Sequence, residues 1–124
     1  MANPIVHAEI IGRDPDRLQA FYRELFGWEV DTSAPISSAV SDEGRYGFVD
    51  LEGDPVPVGI GGGSQHPPHV VFYVGVAEVE AGLARAVELG GTRVLGPERV
   101  EERGLVIGHL LDPEGNLVGV AGPA

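Results

Sequence analysis

The chain has 124 residues, 43% of them hydrophobic, enough for one compact domain with a core of its own. It contains no cysteine, which excludes disulfides and thiolate metal sites and leaves the redox compartment open. The formal net charge is -11 and all eight basic residues are arginine, a balance that repels nucleic acid and anionic membranes and attracts cationic small molecules.

The N-terminal residues MANPIVHAEI carry no basic stretch followed by a long apolar one. No apolar run approaches a bilayer span, so a soluble cytoplasmic protein is expected. Ile5 to Ile11 is rich in β-branched residues and predicts a strand. Asp14-Pro15-Asp16 then opens a helix: Asp14 can cap it, Pro15 is tolerated in the first turn, and Asp16 suits the positive end of the dipole. Leu18, Phe21, Tyr22 and Leu25 fall at i, i+3, i+4 and i+7 and predict the core-facing stripe, with Gly27 as the stop. Phe21 and Tyr22 are assigned to the helix–sheet core. Three strand-like runs follow, Trp28 to Val30, Ile36 to Val40 and Tyr46 to Leu51, with 32–41 the loosest part of the chain.

A second round begins at His69. His69 to Val74 predicts a strand, and Val79, Leu83, Ala86 and Val87 a helical stripe stopped by Gly90-Gly91. Arg93 to Leu95 and Leu105 to Leu111 read as strands. The correspondence is a repeat at half the chain length. His7 and His69 are 62 residues apart, Asp50-Leu-Glu-Gly53 matches Asp112-Pro-Glu-Gly115, and 56–61 resembles 116–121 after a two-residue slip. The Asp-x-Glu-Gly segments predict hairpin turns before a final strand. Each half is therefore strand, helix, then three strands.

Between the halves lies GIGGGSQHPPHVVFYV, residues 59–74. A dinucleotide loop would need a third glycine where Ser64 stands, followed by a helix whose N-terminus faces the phosphates. Here Pro67-Pro68 and a strand follow, and a chain without lysine has no P-loop lysine. The phosphate reading fails, and these glycines lead from one repeat into the next. Alternation along a strand puts Ile5, His7 and Glu9 on one face and Val6, Ala8 and Ile10 on the other. It likewise sets His69, Val71 and Tyr73 opposite Val70, Phe72 and Val74. With the apolar faces against the helices, His7 and His69 are expected to approach each other in a cleft on the far side, the start of a metal site. His66 reads as an ordinary loop histidine.

The halves, the segment HAEIIGRDPDRLQAFYRELFGWEV and the closing DPEGNLVGV resemble the vicinal oxygen chelate superfamily, which includes glyoxalases, extradiol dioxygenases, methylmalonyl-CoA epimerases and bleomycin-resistance proteins. The resemblance implies an α+β fold of two paired βαβββ modules, about 1–63 and 64–124, forming one half-barrel domain with a cleft, and commonly a homodimer. It also implies metal ligands on the first strand of each module, matched by His7 and His69, and a glutamate on the last. The pattern D-P-x-G-x-x-x-E places that glutamate where this chain has Gly119, and the counterpart in the first module is Gly59. Both carboxylates are missing, and two histidines alone make a poor metal site. Glu9 shares the face of His7 two residues along, and His109 lies on a neighbouring strand.

The reading favoured on these grounds is a metal-independent small-molecule binder. Gly59 and Gly119 are expected to open the cleft floor for a drug-like or aromatic ligand bordered by His7, Glu9, His69, Tyr73 and His109. Trp28, Tyr46, Phe48 and Tyr73 are the aromatic candidates for its walls. One alternative is a lyase, isomerase or dioxygenase using a divalent metal on His7 and His69. The other is a cofactor-independent enzyme with His7, Glu9 or His109 as acid or base. No nucleic-acid or membrane partner is expected.

Overall fold

In the computed structural model, which describes residues 2–54 and 56–124, the strands and helices sort into two compact units. One comprises residues 7–70, the other residues 71–124 together with the N-terminal segment up to Val6.

In the 7–70 unit, β1 (Ile5–Gly12) leads into α1 (Pro15–Phe26), then β2 (Gly47–Val49) and β3 (Val58–Gly62). β3 is the middle strand, parallel to β1 and antiparallel to β2. The helix begins and ends where local chemistry dictates. Asp14 Oδ1 accepts from the Arg17 N–H at 3.2 Å, Pro15 occupies the first turn, and Gly27 caps the end at φ 70°. Ala8, Ile10, Leu18, Tyr22, Trp28 and Val30 pack around the buried Val49, Val58 and Ile60, so Ala8 and Ile10 do face the helix as alternation requires.

The predicted stripe on α1 is rotated. Pro15 and Gln19 are the buried residues of the helix, while Phe21 and Leu25 are 56% and 58% exposed. Gln19 fits the interior because its side-chain amide is satisfied: Nε2 donates to the Ile60 carbonyl at 2.6 Å and the Arg45 carbonyl at 2.9 Å. The strands expected at 28–30 and 36–40 do not form. The first is followed by an isolated bridge from Asp31 to Phe48, and the second is a turn in which the Val40 and Ser41 N–H groups donate to the Ser37 carbonyl. Among the described residues, two strands rather than three therefore follow α1 in this unit.

In the 71–124 unit, β4 (His69–Gly75) leads into α2 (Val79–Glu88), β5 (Thr92–Val100), a short 3-10 turn (Glu101–Arg103), β6 (Leu105–Leu111) and β7 (Leu117–Pro123). The order is β4-β7-β6-β5, with β4 parallel to β7 and the rest antiparallel. Val79 and Leu83 of α2 pack on Val106 and Val120, with Val76 and Leu110 alongside. Gly108 lets Leu83 approach, since a β-carbon there would lie 2.8 Å from Leu83 Cδ1. Val70 and Phe72, expected against a helix, are 68% and 42% exposed. Residues 2–6 join this unit through Pro4, whose carbonyl accepts from the Gly75 N–H at 2.8 Å. Both Asp-x-Glu-Gly turns form, with Gly53 and Gly115 at φ 82° and 88°.

Candidate functional site

β3 is buried along its whole length. One side meets the α1 core; the other carries glycines at 59, 61 and 63. The segment 41–46 lies across that side. A β-carbon at Gly59 would overlap the Tyr46 hydroxyl, and one at Gly63 would overlap the Asp42 carboxylate. At Gly61 it would come within 2.7 Å of Tyr46 Cδ2 and 2.8 Å of Ser41 Oγ. Ser41 Oγ also accepts from the Gly62 N–H at 2.9 Å, and the Asp42 N–H donates to the Gly62 carbonyl at 2.8 Å. His66 then reaches Asp42 Oδ1 at 3.4 Å, so it fastens this segment rather than sitting idle in a loop. The glycine run is the bed for Ser41, Asp42 and Tyr46.

This placement corrects the expectation that Gly59 clears space for a ligand. The space is taken by Tyr46, itself 1% exposed. Its hydroxyl donates to Glu9 Oε1 at 2.8 Å and lies 2.7 Å from His7 Nε2. A phenol has one proton; with that proton given to Glu9, its oxygen accepts from the His7 Nε2–H. His7, Tyr46 and Glu9 thus form a continuous hydrogen-bonded chain, with Glu9 buried at its inner end. Phe48 stands beside it, 5.7 Å from the His7 ring and 5.1 Å edge-on from Tyr46. His7 and Phe48 are both half-buried, so the outer end of the chain, at His7, is accessible.

The 71–124 unit repeats the device. Gly119 pairs with Tyr73 on β4 and His109 on β6, and a β-carbon at Gly119 would overlap the Tyr73 ring. Tyr73 Oη and His109 Nε2 are 2.7 Å apart, both residues buried. Gly59 has corresponding neighbours in Glu9 and Phe48. Aligned on these glycines, Glu9 corresponds to Tyr73 and Phe48 to His109.

The same alignment separates the histidines. His7 stands two residues before Glu9, whereas His69 stands four before Tyr73. The ladder register therefore sets them two residues, about 6.6 Å of strand, out of step. The 62-residue sequence spacing does not make them structural counterparts. His69 Nδ1 donates to the Pro67 carbonyl at 3.0 Å. Trp28, a candidate ligand wall, stacks on Tyr22 at 5.6 Å and packs on Phe26 at 5.2 Å instead.

A divalent metal implied by the resemblance does not fit these residues. The two carboxylate positions are glycines covered by tyrosine, His7 Nε2 is engaged by a phenol, and no group of three or more His, Cys, Asp or Glu among the described residues is placed to hold an ion. Zinc requires three or four ligands, and harder ions more. Nor is any helix among the described residues long and apolar enough to cross a membrane.

The strand–helix–strand order of each unit is the one expected of the vicinal oxygen chelate superfamily. The glyoxalase-like domain family matches residues 8–121, and the chain belongs to it. It is similar to a methylmalonyl-CoA epimerase solved in complex with methylmalonyl-CoA and NH4+, at 20% identity and TM-score 0.71, over 100% of this chain and 96% of that one. The epimerase from Mycobacterium tuberculosis superposes with TM-score 0.70 at 16% identity, over 97% and 87%. A glyoxalase/bleomycin resistance protein/dioxygenase superfamily member from Vibrio splendidus 12B01 gives 0.60 at 21%, over 98% and 99%. These likenesses establish the fold. No curated protein matches the chain.

Proposed function

We propose that this protein binds a small organic molecule without a metal, at the surface where His7 and Phe48 lie over Tyr46 and Glu9. The observation that carries the reading is Tyr46 seated over Gly59, in the place where a carboxylate ligand would otherwise project. Phe48 offers a ring face for an aromatic ligand, His7 a polar contact, and the Glu9 carboxylate a charge that favours a cation. A planar aromatic cation satisfies all three.

The test is titration of chelator-treated protein with a panel of planar aromatic cations and their neutral and anionic analogues, followed by Trp28 fluorescence or calorimetry. Saturable binding of the cations, indifferent to chelator and weakened several-fold to about tenfold in Phe48→Ala, is the expected result. Binding that appears only after a divalent metal is added would overturn the reading.

The chain from His7 through Tyr46 to Glu9 also favours a second reading, cofactor-independent acid–base chemistry at His7. Turnover of a bound ligand that survives chelator and is lost in His7→Ala would select it over simple binding.

A further inference from the structure

At the start of α2, between that helix and strands β5, β6 and β7, lies a depression of about 370 Å³. That is inside the roughly 300–1,000 Å³ range of small-molecule pockets. Val79 and Val106, both buried, form an apolar floor beside Pro97, and Glu78, Glu80 and Arg99 stand around it. No side chain can stand on the neighbouring Gly122, where a β-carbon would lie 2.5 Å from the Val76 carbonyl oxygen. The depression is on the opposite side of the sheet from Tyr73, His109 and Gly119. Along β6, Val106 and Leu110 pack toward α2, so His109, an odd number of residues from each, points the other way. Arg99 is paired with Val106 and shares its side.

The charges select the occupant. Glu80 is held by Arg93 through hydrogen bonds of 2.7 and 2.9 Å. Glu78 precedes the helix, yet its carboxylate makes no capping bond. Neither Glu78 nor Arg99 enters an ion pair among the described residues. One carboxylate and one guanidinium are therefore left over an apolar floor, and a ligand of single charge satisfies only one of them. We propose that this is a second binding site, for a free α-amino acid with a branched apolar side chain. Its carboxylate lies on Arg99, whose planar fork suits it, its ammonium on Glu78, and its hydrocarbon on Val79, Val106 and Pro97. A longer peptide does not meet the same condition, because its two charged ends are held apart by the residues between them.

Calorimetric titration of the full chain with L-leucine tests it. Saturable binding with Kd of about 0.1–1 mM is expected. Leucinamide and N-acetylleucine each lack one of the two charges and bind at least about tenfold more weakly. Arg99→Gln and Glu78→Gln, both at exposed positions, each weaken leucine binding by about tenfold while circular dichroism stays as in the wild type. Absence of saturation up to about 20 mM leucine overturns the proposal. Equal binding of the amide or the acetyl derivative does so too, as does leucine binding that both substitutions leave unchanged. Leucine binding lost in Phe48→Ala and kept in Arg99→Gln overturns it as well, since the ligand then sits at the His7 and Phe48 surface.

Discussion

Tyr46 is held by a single hydroxyl that bridges His7 and Glu9, and by the absence of a side chain at Gly59 beneath it. Tyr46→Phe removes the phenol's donation to a buried carboxylate at almost constant volume. It should lower unfolding free energy by about 1–3 kcal/mol in urea titration; a change within error would mean that the chain contributes nothing to folding. Gly59→Glu reinstates the carboxylate expected by the family resemblance, in space that the tyrosine occupies. Overpacking of this kind costs about 1–3 kcal/mol or more, and Tyr46→Ala in the same protein should recover part of the loss. Equal stability of the single and double variants would show that the ring is not the obstacle. Part of this is legible in the sequence: strand alternation and resemblance mark His7, Glu9, Tyr73 and His109, whereas Gly59 and Gly119, expected to open a cleft floor, lie under tyrosines instead. The role of Tyr46 is not legible there, because its neighbour on β3 is fixed by the path of 41–46. Glycines at alternate positions 59, 61 and 63 were the signal, since they mark a strand face that another segment approaches closely.

Among the elements, α1 was legible at both ends because Asp14, Pro15 and Gly27 act locally. Its orientation was not, since an apolar stripe on both sides leaves periodicity without a preference, and a satisfied Gln19 hides a buried position. The two helices make the contrast measurable. Leu83→Ala in α2, at a side chain with 0% exposure, should cost about 2–5 kcal/mol. Phe21→Ser in α1 should stay within about 0.5 kcal/mol of wild type, and a large loss there would place Phe21 in the core after all. The turn between β6 and β7 carries a pH dependence. Asp112 accepts from the Asn116 side chain at 3.0 Å and from the Glu114 and Asn116 N–H groups at 2.9 Å, and its carboxyl is held below the ordinary 3.8, chiefly by Asn116. A lowered folded-state value means stability that is present above the unfolded value and lost as pH falls through the folded one. Asp112→Ala should therefore melt earlier at neutral pH, with the gap to wild type closing below about pH 3.8. Parallel melting curves down to about pH 2 would remove the turn from the acid response.

At the scale of the molecule, the duplication was legible as matched motifs half a chain apart, and the glyoxalase-like family follows from it. What the sequence spacing could not supply is the ladder register, which pairs Gly59 with Glu9 and Gly119 with Tyr73 and so puts His7 and His69 out of step. The family frame is retained while tyrosines lie over both glycines, Tyr46 at Gly59 and Tyr73 at Gly119, and this is why we propose binding without a metal. Metal content per chain is the most direct test, measured on protein purified without a histidine tag, before and after chelator and again after addition of zinc, nickel, manganese or iron. No stoichiometric metal is expected in any of the three states; about one tightly held ion per chain, lost to chelator and regained on addition, would contradict metal-free binding.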